Sequence, residues 1–332
     1  MPILNLLAAL AAAATTVSAP SYAVVDKIAG PDGGWDLLGV DPVAHRLYVA
    51  RSTGVMAVDL TTGQATANLV PAARGHGALP IPGTTRVIST SGGTGTATVF
   101  EGATGQVIAT LTVGKNPDAV AYDPATQTAW VMNPGSGEIS VVDPVAAKVV
   151  ATVPVSGDLE LGAADGAGRM YVNIENKNEV AVIDTKARKL LSRFPLTGCE
   201  GPTGIAYSVV DKQIVSACAN GVAVVSSPDG RQIASLKVGP RPDGAVYDEA
   251  RRLAFIPSGG DGTLSVIRLG AKPEVVAVVP TAKGARTVAL DPSTGRLYLP
   301  SAQYAPPVGT ARPAMIPGSF AVLVVAPAAG AQ

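Results

Sequence analysis

The sequence predicts an all-β protein, a seven-bladed β-propeller of four-stranded blades, closed by an N-terminal strand that completes the C-terminal blade. Three observations predict it. Short apolar runs with a polar or acidic end recur every 41 or 42 residues. Gly (37) and Pro (27) are abundant in 332 residues while aromatics are only 4%, which suits many tight turns and small side chains in stacked strands. The two chain ends each look like part of one incomplete unit.

The units follow in order. The first carries "LLGVDP", ending its run at Asp41, and "MAVD", ending at Asp59. The second has "ALPIPG" and "TVFE" at Glu101, and the third "AVAYDP" at Asp123 and "SVVD" at Asp143. The fourth has "LGAADG" at Asp165 and "VAVID" at Asp184, and the fifth "GIAYSV" and "AVVS" at Ser226. The sixth has "GAVYDE" at Asp248 and "SVIR" at Arg268, and the seventh "TVALDP" at Asp291 and, after an insertion, "FAVLVV" near Val324. Each unit reads as four strands, A to D. In the third these are "AVAYDP", "TAWVMN", "ISVVDP" and "KVVATVPV", separated by Asp-Pro and Gly-containing turns. The strands lack polar alternation, as expected when neighbouring blades cover both faces. Four-stranded units of about 40 residues mark a propeller. A solenoid would have shorter repeats and capped ends.

The last unit stops after strand C, and "YAVVDKIAG" near the N-terminus resembles the D strands "QVIATLTVG" and "RQIASLKVG". Pairing these ends closes the ring and removes two open edges. Ahead of that strand, residues 1–19 read as a secretory signal peptide, with an apolar segment from Ile3 to about Ala14 and A-x-A-like sites before Ala19 and Ala23. Cleavage after Ala19 keeps the closing strand whole. No Lys or Arg precedes Lys27, a departure from the usual basic start of such peptides. The expected organisation is therefore one propeller over 20–332, with a periplasmic or secreted location. No segment has the length of a transmembrane helix.

At "YVNIENKNEVAVID" and "WVMNPGSGEISVVD" the chain resembles the YVTN-repeat propellers, including the YncE-like periplasmic group. The hallmark Tyr-Val-x-Asn appears as Tyr171-Val172-Asn173, with Trp130-Val131-Met132-Asn133 as a variant. The resemblance implies seven blades and a secreted setting. It supplies no catalytic residue.

Candidate site residues come from the phase of the repeat. D-to-A and B-to-C loops share one face, here the top. Five positions before the strand-A acid stand Asp36, Asp118, Glu160, Asp243 and Arg286, and alignment of the other two units adds His76 (or Gly77) and Thr203. In-phase positions of a closed repeat fall on one ring. Gathered carboxylates raise one another's pKa or attract a cation. Each acid could equally cap a turn. Asp36, Asp118, Glu160 and Asp243 are the candidate metal ligands, for an oxygen-bound Ca²⁺ or Mg²⁺. With only two histidines, His45 and His76, a multi-His zinc or haem site is not expected. His45 reads as a turn residue on the opposite face, whereas His76 is the candidate general base. No nucleophile-elbow, zincin or P-loop motif occurs.

Cys199 and Cys218 both fall on the top side of the fifth unit, so a disulfide is expected. The insertion Ala302–Ser319 lengthens the last B-to-C loop. It carries Tyr304 and Arg312 and is a candidate lid. With 25 basic and 25 acidic residues and no like-charge run, no nucleic-acid partner is expected.

Three functions compete. The first is an exported monomer that binds a small polar or cationic ligand, or a partner protein, at the channel mouth. The second is a hydrolase, lactonase or lyase using His76 and a carboxylate, with Arg286 holding a substrate anion. The third is a cell-surface scaffold.

Overall fold

In the computed structural model the described residues are 21–307 and 313–328. The signal-peptide segment 1–19 and Arg312 lie outside them. The strands form seven antiparallel sheets of four strands each. The first blade runs β2 (Trp35–Asp41), β3 (Arg46–Arg51), β4 (Gly54–Asp59) and β5 (Ala65–Pro71) from the axis outward, and five later blades repeat this order. The seventh differs. Its inner strands are β26 (Ala289–Asp291), β27 (Arg296–Ser301) and β28 (Ala321–Pro327), and its outer strand is β1 (Tyr22–Ala29) from the other end of the chain. β1 lies antiparallel to β28, from Tyr22 opposite Pro327 to Ala29 opposite Ala321.

The repeated acids at the strand ends are turn-formers. Asp41 Oδ1 accepts the Val43 and Ala44 amides, Asp59 Oδ1 those of Thr61 and Thr62, and Asp143 Oδ1 those of Val145 and Ala146. Such Asx turns reverse the chain in few residues. His45 sits in one of these turns with φ 51°, and its carbonyl accepts the Leu60 amide.

The core lies between blades, not inside one. Between the third and fourth blades, Trp130, Met132, Ile139 and Val141 pack on Met170, Val172, Ala181 and Ile183, all fully buried. Inner strands of neighbouring blades approach closely at Gly204, where a methyl group would lie 2.3 Å from the backbone of Gly244 in the next blade. The two hallmark asparagines are not equivalent. Asn173 Nδ2 donates to the carbonyls of Thr203 and Gly204 and so ties the fourth blade to the fifth. Asn133, one register step later on its strand, instead donates to Val131, Glu138 and Ser140 of its own blade.

The ring seam carries a second fastening. Arg51, only 4% exposed, donates to the carbonyls of Pro31, Gly33 and Gly34 and stacks 3.8 Å from the centre of the Phe320 ring. Asp32 accepts the amides of Gly318 and Phe320. The segment after β1 is thereby bolted to the segment before β28.

Cys199 and Cys218 form a disulfide across 19 residues of the fifth blade, with Cα atoms 5.4 Å apart. Replacing both by serine is expected to lower the unfolding free energy by on the order of 3 kcal/mol, by relaxing the unfolded chain. Denaturant titration checks this. Superimposable curves for the two proteins would show that the bridge contributes nothing.

Candidate functional site

The ring of in-phase residues is built by a recurring irregularity. In four blades the pairing of strand A with strand B slips by one residue near its start, with two residues of A set against one of B. The slips fall at Asp36–Leu37, His76–Gly77, Glu160–Leu161 and Thr203–Gly204. A bulge of this kind bends the strand and re-aims side chains. Asp118, Asp243 and Arg286 occupy the matching place just ahead of the shorter A strands of the other three blades.

The structure brings these positions together around one opening. His76 Nδ1 and Asp36 Oδ2 are 2.6 Å apart, and His76 Nδ1 and Asp118 Oδ1 are 3.9 Å apart. Arg286 donates from Nε to Asp243 Oδ2 at 2.6 Å and from an outer nitrogen to Asp36 Oδ1 at 3.4 Å. A connected arc therefore runs Asp118, His76, Asp36, Arg286, Asp243. Both cations flank Asp36. Thr203 is nearly buried and donates to the Pro242 carbonyl. Glu160, across the ring, makes no hydrogen bond or ion pair among the described residues.

The electrostatics follow from that lopsided arc. Burial, then repulsion from the neighbouring acids, pushes Glu160 up to about 9. Asp118 is raised to about 6 by burial and by Asp36, against the opposing pull of His76. Asp243 is raised to about 7 by burial and Asp36, although Arg286 pulls it down. His76 is raised chiefly by its hydrogen bond to Asp36. Three mouth carboxyls thus ionise reluctantly, and of these Glu160 has no basic partner among the described residues.

A cavity of ≈ 240 Å³ opens there, lined by Asp36, Leu37, Asp118, Glu160, Leu161, Glu175, Thr203 and Asp243. Glu175 is the acid that the repeat phase missed. It lies in the B-to-C turn of the fourth blade, in a single 3-10 turn, and would have been found by counting B-to-C acids as well. Leu37 and Leu161 were missed because they follow the phased residues and only a bulge turns them to the axis.

Three expectations meet the geometry here. The four candidate metal ligands do not gather around one point. Among the described residues, the set whose donor atoms all lie within 4.8 Å of one another is Asp36, His76 and Asp118. His76 Nδ1 lies 2.6 Å from Asp36 Oδ2, and that hydrogen bond raises the His76 pKa. A Ca²⁺ or Mg²⁺ ion held there would draw most of its six or more oxygens from water. His76 is also poorly placed as a base. Its Nε2 is buried without a partner, against Gly92, where a methyl group would lie 3.0 Å from it. As for the lid, Tyr304 is 46% exposed and packs near Trp35, with ring centres 6.5 Å apart. The described part of the insertion sits beside the mouth at the seam and does not line the acidic cavity.

The fold is a seven-bladed β-propeller, and solved structures of distant sequence share it. A chain of hydrazine synthase from Kuenenia stuttgartiensis superposes with a TM-score of 0.70 at 16% identity, over 80% of this chain and 92% of that one. A chain of the mitotic checkpoint complex gives 0.74 at 12% identity, over 90% and 95%. U3-55K gives 0.76 at 12% identity, over 90% and 97%. No protein-family model and no curated protein matches the chain. Likeness at this identity is a likeness of fold. Among the described residues no helix is long and apolar enough to cross a membrane.

Proposed function

We propose that this chain is an exported binding protein of the YVTN-repeat kind, and that its channel mouth takes a small organic cation. The observation that carries the reading is the uncompensated side of the ring. Glu160 and Glu175 face the cavity with no basic side chain bound to them among the described residues, whereas Arg286 is held by Asp243 and Asp36, and His76 by Asp36, at the opposite edge. Gathering these carboxyls is costly in the empty site, and a cation would recover that cost. The disulfide supports passage through an oxidising compartment. The buried, partnerless Nε2 of His76 favours binding over hydrolysis.

The test is the variant Asp118→Asn with Asp243→Asn, titrated calorimetrically with methylammonium chloride at pH 8. Binding is expected for the native chain and is lost in the variant, with the melting transition retained. A variant that binds as the native chain does would overturn the proposal.

A further inference from the structure

The acidic cavity is only the upper half of a longer space. Below it lies a second cavity of ≈ 160 Å³, lined by inner-strand residues that include Leu37, Leu79, Val120, Leu161, Ile205 and Val246. Its lining carries no ionisable side chain. Leu37 and Leu161 border both spaces, so the acidic mouth adjoins a channel whose lining side chains are all apolar and whose polar surface is backbone. The bulges produce this arrangement, because they turn an acid and the following leucine toward the axis together.

A charged mouth continuous with an apolar shaft is complementary to one ligand shape. We infer that the preferred ligand is a primary alkylammonium, with its head among Asp118, Glu160 and Asp243 and its alkyl chain in the channel. This rests on the binding reading above and deepens it. An ammonium offers three donors and no acceptor, which suits an acceptor-rich mouth. A bare metal ion or methylammonium would leave the channel below it without a partner. Taking a methylene as close in volume to a water molecule, roughly 30 Å³, the channel holds about five of them. Lysine carries the same head group, but in this pose its peptide end would lie at the foot of the channel, so a free alkylamine is the source that fits.

The test is calorimetry at pH 8 with n-alkylammonium chlorides from methyl to octyl, alongside hexanol, hexanoate and an Nα-acetyl-lysine amide. Affinity is expected to rise roughly fourfold per methylene and to level off near five carbons. Hexanol and hexanoate are expected not to bind. The acetyl-lysine amide is expected not to bind, because its two peptide groups would have to enter the channel, and its binding as tightly as pentylammonium would overturn the orientation of the chain. Val246→Phe, in the lower space alone, should shorten the chain length at which affinity levels off and leave methylammonium unchanged. Methylammonium binding with a flat series would overturn the channel assignment and leave the cation site standing. No binding of any amine would remove both. Hexanol binding as well as hexylammonium would overturn the assignment of the head.

Discussion

A chain that begins at Gly30 is expected to aggregate where one that begins at Pro20 remains soluble. The missing residues are the whole of β1, which pairs with β28 along its length. Tyr22 and Ile28 are both buried, and Tyr22 meets Phe255 of the sixth blade edge-on with ring centres 5.0 Å apart. Burial of those two side chains contributes about 3–6 kcal/mol. Their loss also opens the β28 edge, whose run "AVLVVAP" is apolar and uncharged. Size-exclusion chromatography and denaturant titration of the two chains give the result directly. The synthetic peptide Tyr22–Ala29, added during refolding, should restore part of the monomer. A shortened chain that is monomeric, with an unchanged midpoint, would show that closure by β1 is dispensable.

The second large effect is on pH. In the unfolded chain the mouth carboxyls lose their protons near pH 4. In the folded chain Asp118 keeps its proton up to about 6, Asp243 to about 7 and Glu160 to about 9. The folded state therefore binds more protons across that window, so stability falls as pH rises from about 4 to about 9. His76 acts in the same direction: its raised value means that its stabilisation is present at low pH and is lost as pH rises through the folded value. Screening at an open mouth limits the total to on the order of 3 kcal/mol between pH 5 and pH 9. Glu160→Gln should remove the upper part of the slope, between pH 7 and pH 9, and stabilise the protein at pH 9. Urea titrations at a series of pH values measure this. A flat profile for the native chain, or the same slope in the Gln variant, would refute the account of buried mouth acids.

The blades and the closing strand were legible in the sequence because the repeat is short and its punctuation is local. An Asp that accepts two turn amides must sit at the strand end, so its spacing reports the blade. The mouth was legible in part, since phase alone brings Asp36 and Arg286 within reach across 250 positions. Phase says nothing about pairing, however. That Arg286 and His76 would both turn to Asp36, leaving Glu160 alone, depends on side-chain geometry at two particular joints. Leu37 and Leu161 were illegible for a related reason. In a regular strand they would point away from the axis, and the bulge that redirects them has no marker in composition. The near-identity of "WVMN" and "YVN" concealed a one-residue shift, which in a strand changes the face a side chain serves.

The seam has a consequence for when the site exists. Asp36 belongs to the first blade and Arg286 to the last, and their ion pair crosses the joint that β1 and the Arg51 latch hold shut. Thr287 Oγ1 donates to the Asp36 carbonyl across the same joint. During synthesis β1 appears at the start and its partner β28 close to the end, so six blades can form before the ring has a mouth. Contacts between such distant parts of a chain form late, after the cost of closing the loop. A chain caught open would present acids without Arg286 beside them and an inner shaft without its seventh wall. Occupancy of the mouth would then report completion of the molecule, and a ligand that holds Asp118 and Asp243 together would slow the reopening of the ring at a joint it never touches.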